Sequence, residues 1–91
     1  MPRFEKEIIV MNKKGLHARP AALFVQLADK FQSKITITKD KEEINGKSIM
    51  GILMLGAQFS SKLKLIVDGV DAEQAIGQLA EFLNAQHDEE K

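Results

Sequence analysis

The chain contains no cysteine, tryptophan or tyrosine, has only two prolines, and carries no net charge. Without cysteine there are no disulfides and no thiol chemistry, which fits a reducing compartment. Five phenylalanines are the only aromatic residues, so stacking platforms for bases are poor. The apolar strands also lack a ribonucleoprotein-type aromatic motif. Thirteen basic residues balance thirteen acidic ones, which removes the bulk positive field that nucleic-acid binding relies on. No apolar run approaches membrane-spanning length, and Met1-Pro2-Arg3-Phe4-Glu5 has no apolar signal-peptide core. A cytoplasmic protein that neither enters membranes nor binds nucleic acid is expected. Two histidines, His17 and His87, with no cysteine make no metal-ligand pattern, so neither a metal nor another cofactor is expected. Gly46-Lys47-Ser48 imitates the end of a phosphate-binding loop, but Lys41 stands where the upstream glycine is required.

What is present reads as one small domain over residues 1–91 with a modest core. Residues 4–11 read as a strand with Phe4, Ile8 and Val10 on one face and Glu5 and Glu7 on the other. A helix follows over 18–31, with Ala21, Leu23, Phe24, Leu27, Ala28 and Phe31 in a broad apolar stripe. Ile35-Thr36-Ile37-Thr38 alternates as a strand with isoleucines inward and threonines outward. A short strand is expected over 42–45. Ser48 is placed to cap a helix over 49–55 that Gly56 closes. Leu63, Leu65 and Val67 alternate with Lys62, Lys64 and Asp68 as another strand. Asp71 then caps a last helix lined by Ala72, Ala75, Ile76, Leu79 and Leu83. The residues from Asn84 to Lys91 form a polar tail, in which His87 is expected to be inert. The order is β-α-β-β-α-β-α, an α+β pattern whose apolar stripes are best buried by an antiparallel sheet covered on one face by helices.

Gly15-Leu16-His17-Ala18-Arg19-Pro20-Ala21 carries the strongest chemical signal. Proline suits a helix's first turn because no hydrogen-bonded N–H is needed there. The helix then starts near Ala18, and His17 falls at its N-cap beside unpaired backbone N–H groups. Such a place attracts phosphate through donors and dipole together. An unprotonated imidazole is a nucleophile able to carry a covalent group. Arg19 is near enough to neutralise that group, and guanidinium geometry suits phosphate oxygens. The plainer alternatives are a surface histidine that only caps the helix and an arginine that is only a solvated charge.

Lys47-Ser48-Ile49-Met50-Gly51-Ile52-Leu53-Met54-Leu55 is the second signal. A helix of two turns that is apolar nearly all round exposes part of Ile49, Met50, Leu53 and Met54, unless it is sandwiched in the core. Exposed methionines adapt to several partners. Ser48 is explained by capping alone, yet a phosphate there would be tolerated by the helix dipole.

With these two segments, the chain closely resembles the histidine-containing phosphocarrier (HPr) family of the bacterial phosphotransferase system, from about Phe4 to Leu83. The resemblance implies an open-faced β-sandwich of a four-stranded antiparallel sheet with three helices on one face. It implies a non-enzymatic, monomeric carrier in which His17 takes a phosphoryl group on Nδ1 from enzyme I and passes it to an enzyme IIA. Arg19 would stabilise that group and the backbone N–H groups of Ala18 and Arg19 would help to hold it. Leu16, Ile49 and Met50 match partner-docking positions. Ser48 matches the serine that an HPr kinase/phosphorylase modifies in some bacteria. Asn12-Lys13-Lys14-Gly15 is similar to the nitrogen-related (NPr) branch, whereas the Ser48 segment is like that of kinase-regulated members. Gln58-Phe59-Ser60-Ser61 lacks the glycine common in that loop. The second reading is a regulatory adaptor, read by a transcriptional regulator or kinase through Ser48 and its apolar patch. A small-ligand- or RNA-binding domain of similar topology is disfavoured by the missing aromatics and balanced charge.

Overall fold

Strand alternation and helical stripes meet in one four-stranded sheet. The computed structural model describes residues 2–85. Its elements run β1 (Arg3–Ile9), α1 (Ala18–Ala28), β2 (Lys34–Lys39), β3 (Glu42–Asn45), α2 (Ile49–Leu55), β4 (Lys62–Asp68) and α3 (Ala72–Asn84). The sheet order is β1-β4-β2-β3, and every neighbouring pair is antiparallel. In register, Ile8 lies opposite Leu63, and Val67 lies between Phe4 and Ile35. Ile8, Ile35, Ile37, Leu63, Leu65 and Val67 are each at most 2 % exposed, so one sheet face is sealed by the helices. Burying each such side chain is worth about 1.5–3 kcal/mol, which orders the sheet around its central pair β4 and β2. Phe24 of α1 and Phe82 of α3 add a tilted aromatic pair with ring centroids 6.3 Å apart above that face.

The opposite face carries charge. Glu5 pairs with Arg3 along β1 and with Lys64 across the strands at 3.7 Å. One polar residue on this side is nevertheless buried. Thr36, which points outward as the alternation predicts, is 7 % exposed because β2 is an interior strand and Thr36 is flanked in register by Ile66 and Asn45. Outward on an interior strand is not the same as wet.

Four expectations need correction. Helix α1 stops at Ala28 rather than residue 31. The next N–H groups, of Lys30 and Phe31, reach back only three residues, to Leu27 and Ala28, as the chain turns towards β2. Phe31 stays buried all the same. Leu23 is exposed, since at 3.6 residues per turn it lies about 200° round the helix from Ala21. Strand β1 ends at Ile9 rather than 11 because the chain just before β4 bulges opposite Val10. Ser60 donates its N–H to Val10 O (2.7 Å) while Val10 donates to Ser61 O (2.9 Å), so two residues oppose one, and Ser60 has φ +68°. Finally, Asp71 precedes α3 without capping it. Its carboxylate accepts instead from Ser33 Oγ (2.5 Å), Ser33 N–H (3.0 Å) and Gln32 N–H (2.9 Å). It ties the loop before β2 to the loop before α3. Those bonds, led by the Ser33 hydroxyl, hold the Asp71 carboxyl below the usual carboxylate range.

Candidate functional site: a histidine at a helix start

The site is built from the chain between β1 and α1. Asn12 closes a turn with two bonds. Its Oδ1 accepts from Lys14 N–H (2.9 Å) and its carbonyl from Gly15 N–H (2.8 Å). Gly15 then takes a left-handed conformation, φ +71°, that costs a glycine nothing. Leu16 N–H donates to Ala57 O at 3.0 Å, which lays the loop against the chain just beyond α2.

His17 occupies the N-cap of α1, as expected, with extended backbone (φ −97°, ψ −169°) and no side-chain cap bond. Its N–H donates to Gly15 O, and its carbonyl accepts from Ala21 N–H at 3.0 Å. The imidazole is therefore half-buried and not consumed by capping. Pro20, the third helical residue, has no N–H to offer. Among the described residues, the amides of Ala18 and Arg19 are left without acceptors at the positive end of the helix dipole. The Arg19 side chain is exposed and makes no ion pair among the described residues. Three successive residues thus supply a half-buried imidazole, two open amides and a guanidinium in no ion pair among the described residues. The arrangement suits a tetrahedral anion attached to, or approaching, His17.

The neighbouring α2 packs against α1. Ser48 caps it, with Oγ accepting from Gly51 N–H at 2.9 Å, and Gly56 closes it in the left-handed region at φ +63°. Ile52 and Leu55 face the core, while Ile49, Met50, Leu53 and Met54 are exposed, Met50 at 66 % and Met54 at 74 %. The helix is thus not sandwiched, and its outer side is an apolar patch. Leu16, expected beside Ile49 and Met50 as a docking residue, is 9 % exposed and belongs to the core instead. Ser48 and His17 are not brought into contact. The His17 loop abuts the C-terminal end of α2, and Ser48 lies at its other end, about 10 Å away along the axis for seven residues at 1.5 Å each. His87 lies outside the described residues. Among those described, no group of three or more histidine, cysteine, aspartate or glutamate side chains is placed to hold a metal ion, and no helix is long and apolar enough to cross a membrane.

In the sequence Asn12 stands out only as part of the Asn12-Lys13-Lys14-Gly15 segment. Its burial, and the two bonds it accepts from backbone N–H groups to set up the His17 loop, are visible only in three dimensions. The Asn at the head of a turn ending in glycine was the available signal.

The family model described as the PTS HPr component phosphorylation site matches residues 4–85. Phosphocarrier protein HPr of Treponema pallidum is 41 % identical over 85 residues, covering 93 % of this chain and 97 % of that protein. HPr-like protein Crh of Halalkalibacterium halodurans is 47 % identical over 79 residues, covering 87 % and 94 %. The crystal structure of HPr-C-His from Thermoanaerobacter tengcongensis superposes with a TM-score of 0.86 at 49 % identity, covering 90 % of this chain and 92 % of that one. Sequence and fold agree, and the chain belongs to the HPr phosphocarrier family of the phosphotransferase system.

Proposed function

We propose that this protein is a stoichiometric phosphoryl carrier, a single-domain monomer of the cytoplasm that accepts from enzyme I and donates to an enzyme IIA. The observation that carries the reading is His17 at the N-cap of α1 with the amides of Ala18 and Arg19 open beside it. In the first half-reaction the Nδ1 lone pair of neutral His17 forms a P–N bond while the donor's bond to phosphorus breaks, and the donor keeps that electron pair. The second half-reaction is the same displacement with the acceptor attacking. No net oxidation occurs and no cofactor takes part. Arg19 and the two amides meet the charge on the phosphoryl oxygens as it passes. The exposed stripe of Ile49, Met50, Leu53 and Met54 is the docking surface.

Ser48 is the regulatory site. A phosphate there adds about −1.5 to −2 charge beside an apolar docking patch, which weakens docking through desolvation and repulsion. A second reading, favoured by the kinship with HPr-like protein Crh, is an adaptor of the regulatory or nitrogen-related kind, acting through Ser48 and the same patch on a kinase or transcriptional regulator.

The test is incubation with phosphoenolpyruvate and an enzyme I shown to charge a control carrier, followed by intact-mass analysis. A one-phosphate adduct, stable in base, lost in acid and absent from His17→Ala, is expected. Arg19→Ala should accept phosphate more slowly with unchanged stability. Normal labelling of His17→Ala would sink the carrier reading, and no labelling of the unaltered protein would shift the weight to the adaptor.

A further inference from the structure

Asn12 is a polar side chain with 5 % of its surface exposed, set against an apolar lining that includes Leu16, Leu63 and Leu83. Polar groups buried in this way are retained at a cost unless they bond well. Here the bonds run into the active loop, to Lys14 N–H from the side chain and to Gly15 N–H from the backbone carbonyl. Everything that places His17 follows in series. Gly15 turns into the left-handed region, Leu16 anchors on Ala57 O, and His17 N–H closes on Gly15 O.

We infer that Asn12 is a positioning residue for phosphoryl transfer, resting on the carrier reading above: its carboxamide closes the turn that holds His17 and the open amides of Ala18 and Arg19 in one fixed arrangement. Lys13 and Lys14 are exposed and, among the described residues, their side chains make no hydrogen bond or ion pair that restrains the turn. Removing the carboxamide leaves the Gly15 to Asn12 backbone bond alone to define it. The loop then samples other arrangements, and the transfer rate falls with the fraction that remains competent. The docking patch on α2 is untouched by the change, so partner affinity stays.

The experiment is single-turnover transfer from charged enzyme I, followed over a range of enzyme I concentrations, for the unaltered protein, Asn12→Ser and Asn12→Ala. A serine hydroxyl can accept the same i+2 N–H more weakly, so it serves as the conservative rescue. The expected maximal rate falls about tenfold for Asn12→Ala and about threefold for Asn12→Ser, with half-saturating concentration within about twofold of the original. Amide shifts of Gly15 and Leu16 in NMR spectra move in the same order, while those of β4 stay in place. A maximal rate in Asn12→Ala equal to the original, or a loss confined to the half-saturating concentration, overturns the positioning role. Should Asn12→Ala fail to fold, Asn12→Ser decides the same question. Failure of the unaltered protein to accept phosphate at all defeats the carrier reading itself, a distinct result that brings this inference down with it.

Discussion

A methyl group placed on Gly15 would come within 2.3 Å of the carbonyl oxygen of Ala57. That contact is between two stretches of backbone, so no side chain can rotate away to relieve it. The close approach is what lets Leu16 N–H reach the same oxygen at 3.0 Å and fixes the start of α1 relative to the end of α2.

Gly15→Ala should therefore be costly twice over, from the left-handed backbone at φ +71° and from the collision. We expect a loss of about 2–4 kcal/mol in urea denaturation, with phosphoryl transfer falling more steeply than stability alone explains. A variant that unfolds at the original midpoint would show that the loop yields easily.

Ser60 is the opposite case. It sits at φ +68° in the bulge facing Val10, a position glycine fills without strain. Ser60→Gly should stabilise the fold by about 0.5–1 kcal/mol, the relief of backbone strain being partly offset by the greater freedom of glycine in the unfolded chain. Transfer to His17 should not change. Equilibrium unfolding of the two proteins side by side checks both statements.

Asp71 gives a pH dependence with a definite sign. Its carboxyl is held below the usual range by the Ser33 hydroxyl first and then by the Gln32 and Ser33 amides. A depressed folded value means the contribution is fully present above the unfolded carboxylate value of about 3.9 and is lost as pH falls through the folded one. Melting temperature measured from neutral pH down to strongly acidic pH should drop more steeply for the unaltered protein than for Asp71→Ala. Parallel curves would mean that the tether contributes nothing through ionisation.

Ser48 separates a structural from a regulatory role by choice of substitution. Ser48→Ala removes the bond to Gly51 N–H and should cost about 1 kcal/mol. Ser48→Asp keeps a capping oxygen and should hold stability within about 0.5 kcal/mol. The aspartate variant should nonetheless accept phosphate from enzyme I more slowly, through weaker docking at Ile49 and Met50. Equal half-saturating concentrations for Ser48→Asp and the unaltered protein would remove Ser48 from regulation.

Much of this was legible in the residues. The strict alternation of β4, the Ser48 and Gly56 boundaries of α2 and the helix start after His17 all rest on local chemistry, and local chemistry decided them. What was not legible depended on neighbours distant in sequence. Thr36 is buried because two strands flank it, and Asp71 bonds across to residues 32 and 33 instead of capping its own helix. Leu16 was matched to a docking position by resemblance, and the Ala57 anchor draws it inward. Leu23 was misplaced for a different reason, an apolar stripe drawn wider than the helix can bury.

Pro20 leaves α1 only two open amides, whereas a phosphoryl group on nitrogen has three terminal oxygens. A site meant to keep phosphate would surround it with more fixed donors, as phosphate-binding loops do with a run of glycine-rich backbone. In the carrier proposed above, the third oxygen would be met only by the solvent-exposed Arg19 guanidinium. Such a grip would be incomplete by one fixed donor, and it would let the group depart quickly in either direction. Looseness at that one oxygen would keep the load deliverable.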